Sequence, residues 1–218
     1  MPQPTQEQLC ERFAVGVMLD HLWSETMGLP SDDKEGVLIS LVRVLDETQT
    51  PYALIGGVAV QLYTSDPRTT GDLDVALRSR DEIPREALKS AGFSYGGTYE
   101  WSENWRGPMS LKAPARRRVV VQFSADALMT AAVERAVEAE VGNSFSLQLV
   151  TIPDLILLKM AAAGESERRE DKRTQDLADV MRLLHEHPEL DSDGLRDQIA
   201  ATSTSIVAQG KRRKPRRD

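Results

Sequence analysis

The sequence predicts an α/β fold, with a strand-and-helix half over about residues 31–150 and a helical half over 151–200. Three observations predict it. Residues 52–55 (YALI) form a short apolar run closed by Gly56-Gly57, the pattern of a buried strand that turns into a helix. Residues 72–77 (DLDVAL) alternate polar and apolar, the period of a strand with one covered face. Beyond Thr151 the apolar residues recur at helical spacing.

The elements follow in order. Residues 1–30 carry Phe13, Val17, Leu19, Leu22 and Trp23 at roughly helical spacing and read as a helical extension ended by Met27-Gly28-Leu29-Pro30. Ser31-Asp32-Asp33 offers a capping side chain and first-turn acids. Leu38, Leu41, Val42 and Leu45 then make one apolar face, so 32–48 is an amphipathic helix stopped by Pro51. Residues 58–63 (VAVQLY) leave the glycine turn as a helix, and a helix over 79–91 is closed by Gly92. The stretch 93–110 reads as a hairpin or loop, 119–123 (VVVQF) as a third strand, 125–136 as a helix, and 138–150 as a hairpin turning at Gly142-Asn143. Thr151-Ile152-Pro153-Asp154 resembles a capping box and opens a helix over 152–163. Another covers 167–185, with Leu177, Val180, Met181 and Leu184 on one face, and a short one covers 191–200. The expected organisation is an extension (1–30), a core (31–150), a helical part (151–205) and a basic tail (206–218), without internal repeats.

At 218 residues, 40% hydrophobic and 28% charged, the chain can bury a core without covalent staples. One cysteine, Cys10, excludes an internal disulfide framework and a cysteine-based zinc site. No basic segment leads into an apolar run at the start, and no apolar stretch is long enough to span a bilayer. A cytoplasmic location without a membrane partner is therefore expected. The net charge of −7 is unevenly spread: the last eight residues (KRRKPRRD) hold six basic groups and one acid, which leaves −12 for residues 1–210. The tail reads as a solvated, disordered appendage that meets phosphate chains without sequence preference.

The chemistry concentrates in LIGGVA (54–59) and PRTTGDLD (67–74). Asp72 and Asp74 stand two apart on a strand, so both side chains leave the same face. Carboxylates that close repel, and a divalent cation relieves the repulsion. Hard oxygen ligands suit Mg²⁺, which binds through one or two carboxylates together with substrate phosphates. Gly56-Gly57, between strand and helix, allows close backbone approach, and N–H groups at a helix start hold phosphate oxygens. Together these are parts for phosphoryl transfer from a triphosphate. Each alone is common: Gly-Gly is usually a turn, and Asp-x-Asp often a solvated strand end.

The pattern GG-x14-DLD resembles the signature of the nucleotidyltransferase superfold shared with DNA polymerase beta. The surrounding YALIGGVAVQLY and PRTTGDLDVAL are similar to the AbiEii/AbiGii-type nucleotidyltransferases, toxin components of abortive-infection and toxin–antitoxin pairs. Downstream, PDLILLKMAA and KRTQDLADVMRLL resemble that family's PxDLxxxK segment and its R-x-x-D-x-x-D helix, so the resemblance spans about 52–185. It implies a polymerase-beta-like mixed sheet with flanking helices and a C-terminal helical part. It implies an enzyme that moves a nucleoside monophosphate from an NTP, ATP among them, with Mg²⁺ as cofactor and pyrophosphate as product. Gly56 and Gly57 would hold the triphosphate through backbone N–H groups, and Asp72 and Asp74 would bind the metal. Lys159 would contact the nucleotide phosphates, and Asp176 would sit near the acceptor hydroxyl. Arg173 and Asp179 would orient Asp176 or brace its helix, and Arg68 and Thr69 would support the Asp-x-Asp loop. The implied acceptor is RNA, a tRNA 3′ end included, or a protein hydroxyl, and the implied partner is a cognate antitoxin. The basic tail favours RNA, whereas an acidic body also suits a small cationic acceptor of the aminoglycoside kind. A non-catalytic nucleotide- or partner-binding module is the remaining alternative.

Two positions depart from the family pattern. Many members carry serine where this chain has Gly57. A third catalytic carboxylate usually stands on a later strand, and Gln122 occupies that place here. Either Asp126 or Asp176 substitutes, or one metal suffices, or catalysis is weak. Other residues keep two readings. Lys159 also suits a snorkelling surface lysine, and Asp176 and Asp179 with Lys172 and Arg173 also suit a salt-bridged helix face. Trp101 and Trp105 suit base stacking or hairpin packing, and Arg116-Arg117-Arg118 suits RNA steering or a solvated strand entry. His21, His185 and His187 show no triad or metal spacing.

Overall fold

The computed structural model describes residues 4–26, 34–66, 69–109, 118–141 and 145–213. They fall into two compact units, Met1–Thr151 and Ile152–Asp218.

In the first unit, side-chain alternation builds a seven-stranded sheet in the order β3-β4-β5-β2-β1-β7-β6. The strands are β1 (Ala53–Ile55), β2 (Asp72–Ala76), β3 (Ser94–Thr98), β4 (Ser102–Arg106), β5 (Val120–Ser124), β6 (Val137–Val141) and β7 (Phe145–Leu149). The sheet is mixed: β2–β5 and β1–β7 pair parallel, and the other neighbours pair antiparallel. Period-2 alternation sends Leu73, Val75, Val121, Phe123 and Trp105 to one covered face. Burying each such side chain contributes roughly 1.5–3 kcal/mol. Asp72, Asp74, Gln122 and Asn104 leave by the opposite face.

The helices of this unit are α1 (Gln6–Thr26), α2 (Lys34–Glu47), α3 (Gly56–Tyr63), α4 (Arg85–Ser90) and α5 (Ala127–Glu134). From Gly57 to Tyr63, α3 is buried on every side, as its run of apolar residues requires. It packs on β1 and β2, and the Tyr63 hydroxyl donates to the Val150 carbonyl at 2.6 Å. Helix α1 crosses α3 at Gly16, where a Cβ would fall 0.9 Å from Gln61 Nε2. A side chain at position 16 would have to displace that amide.

The expected helix over 79–91 is two pieces: a 3₁₀ turn at Arg80–Glu82 and α4. Pro84, which has no N–H to donate, separates them. Gly92 does end α4, with φ +86° and its N–H on the Lys89 carbonyl at 3.0 Å. Within the stretch 93–110, residues 94–106 form the β3–β4 hairpin, while residue 110 and the turn expected at Gly142-Asn143 lie outside the described residues.

The second unit holds α6 (Ile152–Gly164), α7 (Glu170–Glu186) and α8 (Asp193–Arg213). Ala163, Leu177 and Ile206 form its apolar centre, with Met160 and Ile199 against them. Leu177, Val180 and Leu184 are buried as expected, but Met181 is exposed and Leu183 takes the inward place. The last helix does not stop at 200. It continues through Arg213, which corrects the expected disordered tail over 206–213; residues 214–218 lie outside the described residues. Ile206, buried in the apolar centre, is the physical reason for the extension.

Candidate active site

Strand β1 runs antiparallel to β2 with Ile55 opposite Asp74, so the first residue after β1 reaches the β2 carboxylate. That residue, Gly56, sits at φ +67°, in the left-handed region that glycine occupies without strain. A Cβ on Gly56 would lie 1.9 Å from Asp74 Oδ2 and 2.5 Å from its Cγ. The glycine corner and the acid are thus in direct contact. Helix α3 begins at Gly56 after Ile55, whose side chain cannot cap, and no side-chain hydrogen bond caps that helix start. Backbone N–H groups and an acidic strand therefore meet at one corner. Asp72 is exposed, Asp74 is half-buried, and both share a face of β2.

The parallel partner strand β5 sets Gln122 beside Asp74, and β4 sets Asn104 beside Gln122. Across this face the row therefore reads carboxylate, amide, amide. The position expected to carry a third carboxylate is next to the acid pair and is neutral. Asp126 is not a free replacement, because its Oδ1 accepts from the Met129 N–H at 2.8 Å and caps α5. Among the described residues no cluster of three or more His, Cys, Asp or Glu side chains stands ready for a metal. Two carboxylates on one strand face still fit Mg²⁺, which takes its remaining ligands from water and phosphate.

The loop that delivers Asp72 is held from outside. Lys34, buried at the start of α2, donates to the Thr70 carbonyl at 3.2 Å and pairs with Asp20 of α1. Sequence reasoning missed Lys34: a lone lysine after acidic residues carries no signal of a contact 36 positions away. Thr69 lies exposed in the same loop, while Arg68 lies outside the described residues.

In the second unit Lys159 is buried rather than snorkelling at the surface. Its ammonium donates to Asp176 Oδ1 at 2.8 Å and lies 2.8 Å from Asp179 Oδ2. Arg168 Nε stands 3.1 Å from the other Asp176 oxygen, and Arg182 donates to Asp179 at 3.3 Å. Each carboxylate therefore faces two cations, which suits a buried charge. Arg173 is fully buried; its Nε donates to the Ala163 carbonyl at 2.7 Å in the last turn of α6, and its Nη1 to Gln209. A guanidinium on the Ala163 carbonyl satisfies one acceptor of the α6 C-terminus.

The two tryptophans part company. Trp105 is buried, with its indole N–H on Glu103 Oε1 at 2.9 Å, whereas Trp101, at the hairpin tip, is 66% exposed. Tyr95 and Tyr99 of the same hairpin are also exposed. Burial pushes Glu103 upward, but hydrogen bonds from Arg85 and Trp105 outweigh it and hold the carboxyl below the ordinary glutamate value of 4.5. Arg118 spans the carbonyls of Arg106 and Gly107, and Arg116 and Arg117 lie outside the described residues. No helix among the described residues is long and apolar enough to cross a membrane.

The family described as nucleotidyl transferase AbiEii toxin, type IV TA system, matches residues 39–216. Among solved structures, a protein of H. pylori described as a nucleotidyltransferase is 14% identical, over 83% of this chain and 96% of that one, with a TM-score of 0.42. The antibiotic-resistance factor ANT(2'')-Ia is 11% identical, over 81% and 95%, with a TM-score of 0.47. JHP933 from Helicobacter pylori is 14% identical, over 82% and 92%, with a TM-score of 0.39. Likenesses of this size carry no inference about chemistry. No curated protein matches the chain.

Proposed function

The chain belongs to the AbiEii nucleotidyltransferase toxin family, and from that premise we propose that it transfers a nucleoside monophosphate from an NTP to a hydroxyl of an RNA acceptor. The observation that carries the proposal is the contact between Asp74 and the bare corner at Gly56. It puts the acid pair of β2 beside the N-terminus of α3, where backbone N–H groups at a positive helix end would donate to phosphate oxygens.

The chemistry assigned to this corner is an in-line displacement. An acceptor hydroxyl oxygen bonds to the α-phosphorus, the bond from that phosphorus to the bridging oxygen of the β-phosphate breaks, and pyrophosphate leaves. Asp72 and Asp74 would hold Mg²⁺, which when bound neutralises phosphate charge. Gln122 cannot take a proton, so the hydroxyl proton passes to water or to the more exposed carboxylate, Asp72. The Gly56 and Gly57 N–H groups orient the triphosphate. Thr69 steadies the loop before Asp72, and Arg68 is assigned the same part from the resemblance alone.

Lys159, Asp176 and Arg173 enter the proposal with a bracing share. The resemblance directs Lys159 to the nucleotide and Asp176 to the acceptor, and their mutual ion pair would keep both in a fixed geometry. RNA is favoured as acceptor by the basic residues 211–218 and by the exposed Trp101, Tyr95 and Tyr99, since aromatic faces stack bases. In the family setting, modification of that RNA would stop growth and an antitoxin would restrain it. The acidic body favours a second reading, transfer to a cationic small molecule.

The test incubates the protein with each labelled NTP and Mg²⁺, against total tRNA and against aminoglycosides. Label on tRNA that is lost in Asp74→Asn supports the proposal. Label on aminoglycoside alone selects the second reading. NTP binding without turnover, equal in Asp74→Asn, leaves a binding module.

A further inference from the structure

A groove of about 1200 Å³ opens between α1 and α2, and no residue of the Asp72–Asp74 face lines it. Its apolar floor is Phe13 and Val17 from α1, Ile39 and Val42 from α2, and Phe145 of β7. The Phe13 and Phe145 rings meet edge to face, with centroids 5.9 Å apart. Met18 and Leu22, on the open side of α1, are 52% and 49% exposed.

Size argues for a polypeptide occupant. Small-molecule pockets run to roughly 300–1,000 Å³, and this groove exceeds that. The lining on α1 extends from Cys10 to Glu25 and on α2 from Glu35 to Glu47. At 1.5 Å per residue both walls are about 20 Å long, the length of a helix of about thirteen residues.

Charge argues for its chemistry. The lining carries four carboxylates, Glu25, Glu35, Asp46 and Glu47, against the one guanidinium of Arg43. Partial burial, and then the neighbouring Glu138, push the Asp46 carboxyl above its ordinary value. A cation brought into the groove would relieve that repulsion. Nucleic acid, an anionic membrane surface and a second copy of the acidic body all meet the same negative rim.

We propose that the α1–α2 groove docks a cationic amphipathic helix of a partner protein, its apolar face on the Phe13–Phe145 floor and its lysines or arginines toward Glu25, Glu35, Asp46 and Glu47. This is the helix-in-groove mode, with charge selecting the partner and setting the approach. The proposal does not depend on the nucleotidyltransfer reading, because it concerns binding at residues outside that site.

The experiment measures fluorescence anisotropy of a labelled eighteen-residue leucine–lysine peptide of helical pattern against the full chain. A leucine–glutamate peptide of the same pattern is the counterpart. The leucine–lysine peptide is expected to bind saturably and to weaken as salt rises. Met18→Glu with Leu22→Glu, both at exposed positions, should weaken it at least tenfold, and Glu35→Lys with Glu47→Lys should do the same. Circular dichroism checks that the variants fold. Equal binding to wild type and both variants overturns the proposal, as does binding of the leucine–glutamate peptide or no binding at all. Concentration-dependent dimerisation abolished by the Met18→Glu pair assigns the groove to a second copy and also overturns it.

Discussion

The carboxylate of Asp74 occupies the space that a side chain at Gly56 would need, with 1.9 Å separating Oδ2 from an ideal Cβ. Gly56→Ala meets two penalties there. The left-handed φ costs a non-glycine residue about 1–2 kcal/mol, and the clash with Asp74 adds to it. A lower melting temperature and a drop in pyrophosphate release of at least about tenfold are expected. Full activity in Gly56→Ala would detach this corner from the reaction.

Asp72→Asn and Asp74→Asn each remove one of two clustered negative charges at positions that are exposed or half-buried. Turnover should be lost while the chain still folds, because both positions lie outside the buried core. Calorimetry beside the labelled-NTP assay separates loss of chemistry from loss of fold.

Gln122 lies in register with Asp74 on the parallel strand β5. Gln122→Glu restores a third carboxylate on the same face, so half-saturation by Mg²⁺ should shift at least about tenfold lower, 1.4 kcal/mol. A titration that leaves the Mg²⁺ dependence unchanged would show that Gln122 does not face the metal.

Lys34 ties α1 and α2 to the loop before Asp72, and a positioning role for it is expected. Lys34→Met leaves Asp20 and the Thr70 carbonyl without their shared donor and should cost about 1–3 kcal/mol of stability. Its specific signature is a fall in kcat with KM for NTP nearly unchanged, recovered in part by Lys34→Arg. A stability loss without any kcat effect would make the contact purely structural.

Removing the Lys159 ammonium strands two buried carboxylates. Lys159→Met should destabilise the second unit by about 3–5 kcal/mol, softened by Arg168 and Arg182. Adding Asp176→Asn to Lys159→Met should restore part of that loss in chemical denaturation, since it removes one of the stranded charges.

Glu103 ties stability to pH. Its folded carboxyl titrates below 4.5, so its contribution is fully present above that value. It is lost as pH falls through the lower, folded value. Glu103→Gln should flatten the acid limb of a stability–pH curve below about 4.5. An unchanged acid limb would mean that Arg85 and Trp105 do not hold the charged form.

Local structure was legible from the residues alone. The glycine corner, the Asp-x-Asp strand and the helix after Thr151 depend on neighbours in sequence: backbone freedom at Gly56, period-2 alternation at Asp72 and Asp74, and helical periodicity from Ile152 on. Where a local rule had a local exception, as at Pro84, the element was misjudged. The exception was present in the sequence, but its weight was not.

Tertiary structure decided everything that depends on who faces whom. Lys159 was a surface lysine or a ligand by sequence, and packing buried it between two aspartates. Asp126 was a possible third carboxylate, and its own helix claimed it as a cap. Lys34 joined the Asp72 loop only because α1, α2 and that loop come together in space. The sequence by itself determined which residue types the site could use, because strand period and glycine conformations are properties of a few adjacent bonds. Their pairing is set by long-range packing, whose contacts leave no mark at the sequence spacing of either partner.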